Sequence, residues 1–108
     1  MTNERELLEL VAKAMGGRFE LENGFPHLNG NFWNPLASQD DSADLRNALE
    51  IDVVYFRSPP MVVCSAWSAD DENHFEEAVS HNGTQEDRSR AVREARLMVA
   101  AENGRNKE

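Results

Sequence analysis

The stretch Phe32-Trp33-Asn34-Pro35-Leu36, followed by Asp40-Asp41-Ser42 and then Ala43-Asp44-Leu45-Arg46-Asn47-Ala48-Leu49, decides how this chain is read. Pro35 biases Asn34 away from helix, so the two aromatics belong to an extended segment. Ala37 to Asp41 reads as a polar loop. Asp41 or Ser42 is the expected N-cap of a short helix, with Asp44 in its positively polarised first turn. Ala43 or Leu45, with Ala48 and Leu49, gives that helix a narrow apolar stripe. At about two turns it must depend on packing for stability. It leads into the most apolar part of the chain, Ile51-Asp52-Val53-Val54-Tyr55-Phe56 and Met61-Val62-Val63-Cys64-Ser65-Ala66-Trp67. Both runs are rich in β-branched and aromatic residues, and Arg57-Ser58-Pro59-Pro60 between them is a turn. They form a hairpin expected in the middle of an antiparallel sheet.

Towards the N-terminus, Asn3 and Glu6 have the spacing of a capping box. Leu7, Leu8, Val11, Ala14 and Met15 recur at helical spacing, and Gly16-Gly17 ends the helix in a left-handed cap. Arg18-Phe19-Glu20-Leu21-Glu22 alternates as a strand with one wet face. Asn23-Gly24 is a hairpin turn, because both residues accept positive φ. Phe25-Pro26-His27-Leu28 returns, and Pro26 points to an edge or irregular strand. Asn29-Gly30-Asn31 is a second turn, after which the chain reaches Phe32.

Towards the C-terminus, Ser68 to Asn73 is an acidic loop and His74-Phe75-Glu76-Glu77-Ala78-Val79 a further strand. Thr84 followed by Gln85-Glu86-Asp87 starts a last helix whose buried face is Ala91, Val92, Ala95, Met98 and Val99. Gly104 is expected to stop it, leaving residues 105–108 as a frayed tail after a single domain over 1–104. There is no internal repeat.

The chain has 108 residues, with 20 acids against 11 bases and a net charge of −9. Between Glu20 and Asp87 fourteen acids face only Arg46 and Arg57, whereas the last helix carries Arg88, Arg90, Arg93 and Arg96. Such an acidic surface argues against direct binding of nucleic acid, whose phosphates need a cationic footprint, and suits a partner with a basic surface. Cys64 is the only cysteine, which excludes an intrachain disulfide. Neither a secretory signal nor an apolar run of about 20 residues is present, so a cytoplasmic location without membrane contact is expected.

No residue pattern demands catalysis. His27, His74 and His81 are not at ligand spacing with one another or with Cys64, so no metal is expected. Asp40, Asp41 and Asp44, and likewise Asp70, Asp71 and Glu72, lack the alternating ligands, glycine and distal glutamate of a calcium loop. There is no Gly-x-Ser-x-Gly and no phosphate-binding glycine loop, so neither a catalytic residue nor a cofactor is assigned. Trp33 and Trp67 read as core aromatics first and as protein-binding hot spots second. The last helix's arginines pair with Glu86, Asp87 and Glu94 as a salt-bridged face.

The helix Arg5 to Ala14, the Trp33-Asn34-Pro35-Leu36 box, Asp40-Asp41, Leu45-Arg46-Asn47-Ala48-Leu49 and the late Asp87 to Ala101 helix together resemble small phage and prophage proteins of the phage ABA sandwich type. The stretch from Arg57 to Gly83 departs from that pattern, and the last helix begins at Thr84-Gln85 where such proteins often have Asp-Pro. The resemblance implies an antiparallel sheet layered with helices, and no catalytic residues. The expected fold is α+β, in the order α-β-β-α-β-β-(β)-α, with a sheet of four or five strands carrying the first and last helices. The expected role is that of a non-enzymatic accessory protein of a phage or prophage, binding a host or phage protein. Its partner-binding residues would be Asp40, Asp41, Asp44, Asp70, Asp71, Glu72 and Trp33. A sharper form has those carboxylates inhibit a nucleic-acid-binding host or defence protein by standing where phosphates would. The competing readings are a small enzyme or ligand-binding protein using a cleft near Trp33, Trp67 and His74, and a homodimer through a free edge strand or the last helix.

Overall fold

The computed structural model describes residues 4–68 and 70–106. The elements follow the order α1 (Glu4–Met15), β1 (Phe19–Glu22), β2 (Phe25–Leu28), β3 (Asn31–Phe32), α2 (Gln39–Leu49), β4 (Asp52–Arg57), β5 (Pro60–Trp67), β6 (His74–Ser80) and α3 (Gln85–Asn106). The fold is α+β, with two antiparallel sheets of three strands, β1-β2-β3 and β4-β5-β6, in place of one larger sheet. The expectation of a single ladder joined hairpins that α2 keeps apart in the chain. Each set of strands pairs only within itself.

Helix α1 ends as its glycines dictate. Gly16 is left-handed at φ 74°, its N–H donates to the carbonyl of Lys13, and Gly17 N–H reaches back to that of Ala12. That is the paired 5→2 and 6→1 closure of a Schellman cap. The proposed Asn3 cap lies outside the described residues. Two Asn-Gly pairs, with positive φ at Asn23, Gly24, Asn29 and Gly30, fold β1, β2 and β3 into a meander. Pro26 therefore lies in a central strand, not at an edge. Its carbonyl accepts from Trp33, so the side without an N–H faces β3 just where that strand has ended.

The Trp33-Asn34-Pro35-Leu36 box is a clamp. Trp33 is 4% exposed and meets Phe19 edge-to-face at 6.4 Å. Asn34 N–H donates to Asp41 Oδ2 at 2.8 Å, and the carbonyl of Leu36 accepts from Arg93 Nε at 2.8 Å. The box thus fastens the small sheet to α2 and α3 together. The N-cap of α2 is Ser38, whose Oγ accepts from Asp41 N–H, so the helix starts earlier than Asp41 or Ser42 would have set it. Asp41 is occupied in holding Asn34, and Ser42 is buried against α3.

Helix α3 is the centre of the molecule. One side covers the inner face of β5 and β6, where Val62, Cys64 and Ala66 are buried, and another receives α1. The expectation that both outer helices lie on the sheet is corrected: α1 packs on α3. Small residues make this possible, with Ala91, Ala95, Ala100, Ala101 and Gly104 all buried. Gly104 does not stop the helix, which runs on to Asn106. A Cβ at Gly104 would stand 1.8 Å from the carbonyl oxygen of Leu10, so glycine is there to let α1 and α3 touch. Arg105 and Asn106 are correspondingly helical rather than frayed, and Lys107 and Glu108 lie outside the described residues.

Candidate functional site

Alternation along β5 sorts the larger sheet into two faces. Val62, Cys64 and Ala66 point to α3, so Met61, Val63, Ser65 and Trp67 point away from it. The register adds their cross-strand neighbours on the outer face: Phe56 and Ser80 beside Met61, Val54 and Ala78 beside Val63, Asp52 and Glu76 beside Ser65, and His74 beside Trp67. Among the described residues no helix covers this face. Phe56 is 47% exposed, Val54 49% and Trp67 57%. The result is an apolar field of Phe56, Met61, Val54, Val63 and Ala78, crossed at one end by the Asp52-Ser65-Glu76 row and closed by the Trp67–His74 pair, whose rings are 4.7 Å apart.

Beyond Trp67 the acidic turn follows. Ser68 is buried and organises it: its N–H donates to Asn73 at 2.7 Å, its carbonyl accepts from Asp71 N–H, and its Oγ accepts from Asn73 N–H. Asp70 accepts from the Ser68 hydroxyl and from Glu72 N–H. These bonds hold its carboxyl below the usual aspartate range, the hydroxyl contributing most. Asp71 and Glu72 are exposed, and Asp71 shares a cavity lining with Trp67. Asn73 Nδ2 donates to Asn106 Oδ1, tying the turn to the end of α3.

The acids singled out from sequence do not form one patch. Asp40 and Asp44 are exposed near the start of α2, and Asp41 is half-buried in its structural bond to Asn34. The turn at Asp70 to Glu72 lies by the other end of that helix, where Leu49, Glu50 and Asp71 share a cavity lining. Leu49 is nine residue steps along the helix from Asp40, a rise of about 14 Å. Trp33 belongs to the core and offers no surface to a partner, whereas Trp67 does.

The cleft expected near Trp33, Trp67 and His74 does not bring those three together. The cavity beside Trp67, about 340 Å³, is lined by Ala14, Ala48, Leu49, Glu50, Ser68, Asp71 and Asn103 and includes neither Trp33 nor His74. His27 donates from Nδ1 to the carbonyl of Phe25 and packs edge-on to Phe32, at the far sheet. Among the described residues no three histidine, cysteine or acidic side chains converge to hold a metal ion. Cys64 is enclosed, and burial pushes its thiol up to about 11, which disfavours the thiolate. No helix among the described residues is long and apolar enough to cross a membrane.

Val54, Phe56 and Ala78 were not anticipated as surface residues. The run Val53-Val54-Tyr55-Phe56 is apolar at both parities, the pattern of a strand covered on both sides. Alternation alone puts Val54 with Phe56 on one side of β4 and Val63 with Trp67 on one side of β5, and only the register of the hairpin joins the two into a common face. Comparison of the chain with known protein families, curated proteins and solved structures finds no match.

Proposed function

We propose that this chain is a small acidic accessory protein of the phage or prophage kind, which binds a host or phage protein through the outer face of β4-β5-β6. One observation carries the reading: three large apolar side chains, Val54, Phe56 and Trp67, stand about half exposed on a sheet face that no helix among the described residues covers. Scattered surface apolar residues are ordinary, but a contiguous field of them with a polar rim is the make-up of an interface. Trp67 is the natural anchor, since large aromatics dominate the energy of such contacts. The rim is acidic, with Asp52 and Glu76 across the face and Asp70, Asp71 and Glu72 beyond Trp67, so the occupant is a protein whose own apolar patch is bordered by lysine or arginine. The phosphate-mimicking form of this idea is less well supported than the general one, because the two acidic groups lie at opposite ends of α2.

The test is capture from bacterial lysate with four immobilised forms. These are wild type, Val54→Asp/Phe56→Asp on the outer face, Asp70→Lys/Asp71→Lys/Glu72→Lys at the rim, and Leu21→Asp/Phe25→Asp on the other sheet as control. A protein retained by wild type and control, lost with the face variant and reduced with the charge reversal supports the reading. Equal retention by wild type and face variant rejects it.

A further inference from the structure

The arginines of this acidic chain are nearly all engaged. Arg5 pairs with Glu9, Arg18 with Glu20, Arg90 with Asp87 and Glu94, and Arg105 with Glu102. Arg46, Arg93 and Arg96 hydrogen-bond to Asn47, the carbonyl of Leu36 and Ser42. Among the described residues only Arg57 and Arg88 have guanidinium groups with no partner, and both line the same groove. It has a volume of about 590 Å³, between the β4-β5 turn, the end of β6 and the first turn of α3, and its remaining lining is Tyr55, Phe56, Pro60, His81 and Gly83. None of the acids among the described residues lines it.

The polar groups around this groove are donors. Gly83 N–H donates to His81 Nδ1 at 3.0 Å, which leaves the proton of the neutral imidazole on Nε2. The Tyr55 hydroxyl can donate as well, and the two guanidinium groups supply fixed positive charge with forked N–H pairs. Asp87 is bonded to Arg90 and to Asn82 N–H and does not line the groove.

We propose that this groove is a binding site for a small phosphate monoester. Two planar cations match a dianion whose oxygens accept on every side, and the space is that of a small-molecule site. Tyr55 and Phe56, both about half exposed, give the organic part of the ligand aromatic surface to rest on. The groove shares Phe56 with the docking face but takes its charge from Arg57 and Arg88, which that face does not use, so either proposal can fail without the other.

The experiment is a two-dimensional amide NMR titration of the full chain with inorganic phosphate, adenosine monophosphate and adenosine, in wild type, Arg57→Gln, Arg88→Gln and, as control, Arg105→Gln. Saturable shifts at His81, Gly83 and Arg88 are expected with the monophosphate and, more weakly, with phosphate alone. Each groove variant is expected to lose about tenfold in affinity, as removal of one charged contact implies, with the control unchanged. Absence of saturation by about 10 mM, the same affinity in both groove variants as in wild type, or equal shifts from adenosine would overturn the proposal.

Discussion

A glycine in the last turn of a helix is ordinarily read as a terminator, because it loses more backbone freedom than any other residue on becoming helical. Gly104 is retained inside α3 for a different reason: the carbonyl of Leu10 occupies the place of its side chain. Gly104→Ala must separate α1 from α3, so we expect a loss of about 2–3 kcal/mol and a fall in Tm of about 10 °C in calorimetry. An unchanged Tm would mean the two helices are not in contact there. Arg96 makes the opposite case. It is 8% exposed, its Nε has no partner, and its one hydrogen bond is a 3.3 Å contact from Nη1 to Ser42. Burial lowers its pKa, since no carboxylate faces it. Replacing a buried charge without a counter-ion by an apolar chain of similar length is neutral or stabilising. Arg96→Met is therefore expected to hold or raise stability in urea unfolding, by up to about 2 kcal/mol. A fall of more than about 1 kcal/mol would contradict that account. Neither position could be read from the sequence, where Gly104 looks like a stop and Arg96 like one more member of a solvated arginine face. The two Asn-Gly pairs could be, because their chemistry is local and needs no neighbour.

Two short connections hold the elements in register, and both use an ionised aspartate. Asp70 closes the β5–β6 turn through Ser68 and Glu72, and Asp87 braces the start of α3 through Arg90 and Asn82 N–H. In each case these bonds hold the carboxyl below the ordinary 3.8. Their contribution is complete above that value and is lost as the pH falls through the lowered folded-state pKa. Glu77 works the other way. Burial, then repulsion from Glu102, raises its pKa above the ordinary 4.5, with Arg105 opposing, so acidification just above that value favours the folded state. Stability measured by urea unfolding should therefore be level or rise slightly as the pH approaches 4.5, then fall below 3.8. Asp70→Asn/Asp87→Asn should lessen the fall below 3.8, and an unaltered acid limb in that variant would contradict the assignment. Element types were legible in the sequence because each is bounded by its own caps and turns. Their mutual placement was not. Helix α3 is lined with small residues on several sides, so periodicity could indicate one buried face but not that α1 occupies another.

The fold is asymmetric. Helix α3 covers one face of the larger sheet and carries α1 and α2, and the outer face of β4-β5-β6 keeps its apolar side chains in water. The sequence disclosed the strands and their acidic connections, yet which side the helices would take is set by long-range packing around Trp33, Leu45 and Val62 and leaves no local mark. The most direct measurement is photocrosslinking in bacterial cells, with a benzophenone amino acid placed at Val54 on the open face or at Leu21 on the other sheet. The expected result is a covalent adduct from Val54 whose mass exceeds that of the 12.2 kDa chain by that of a different protein, and none from Leu21. No adduct at Val54, the same adducts from both positions, or an adduct consisting only of two copies of this chain would contradict it.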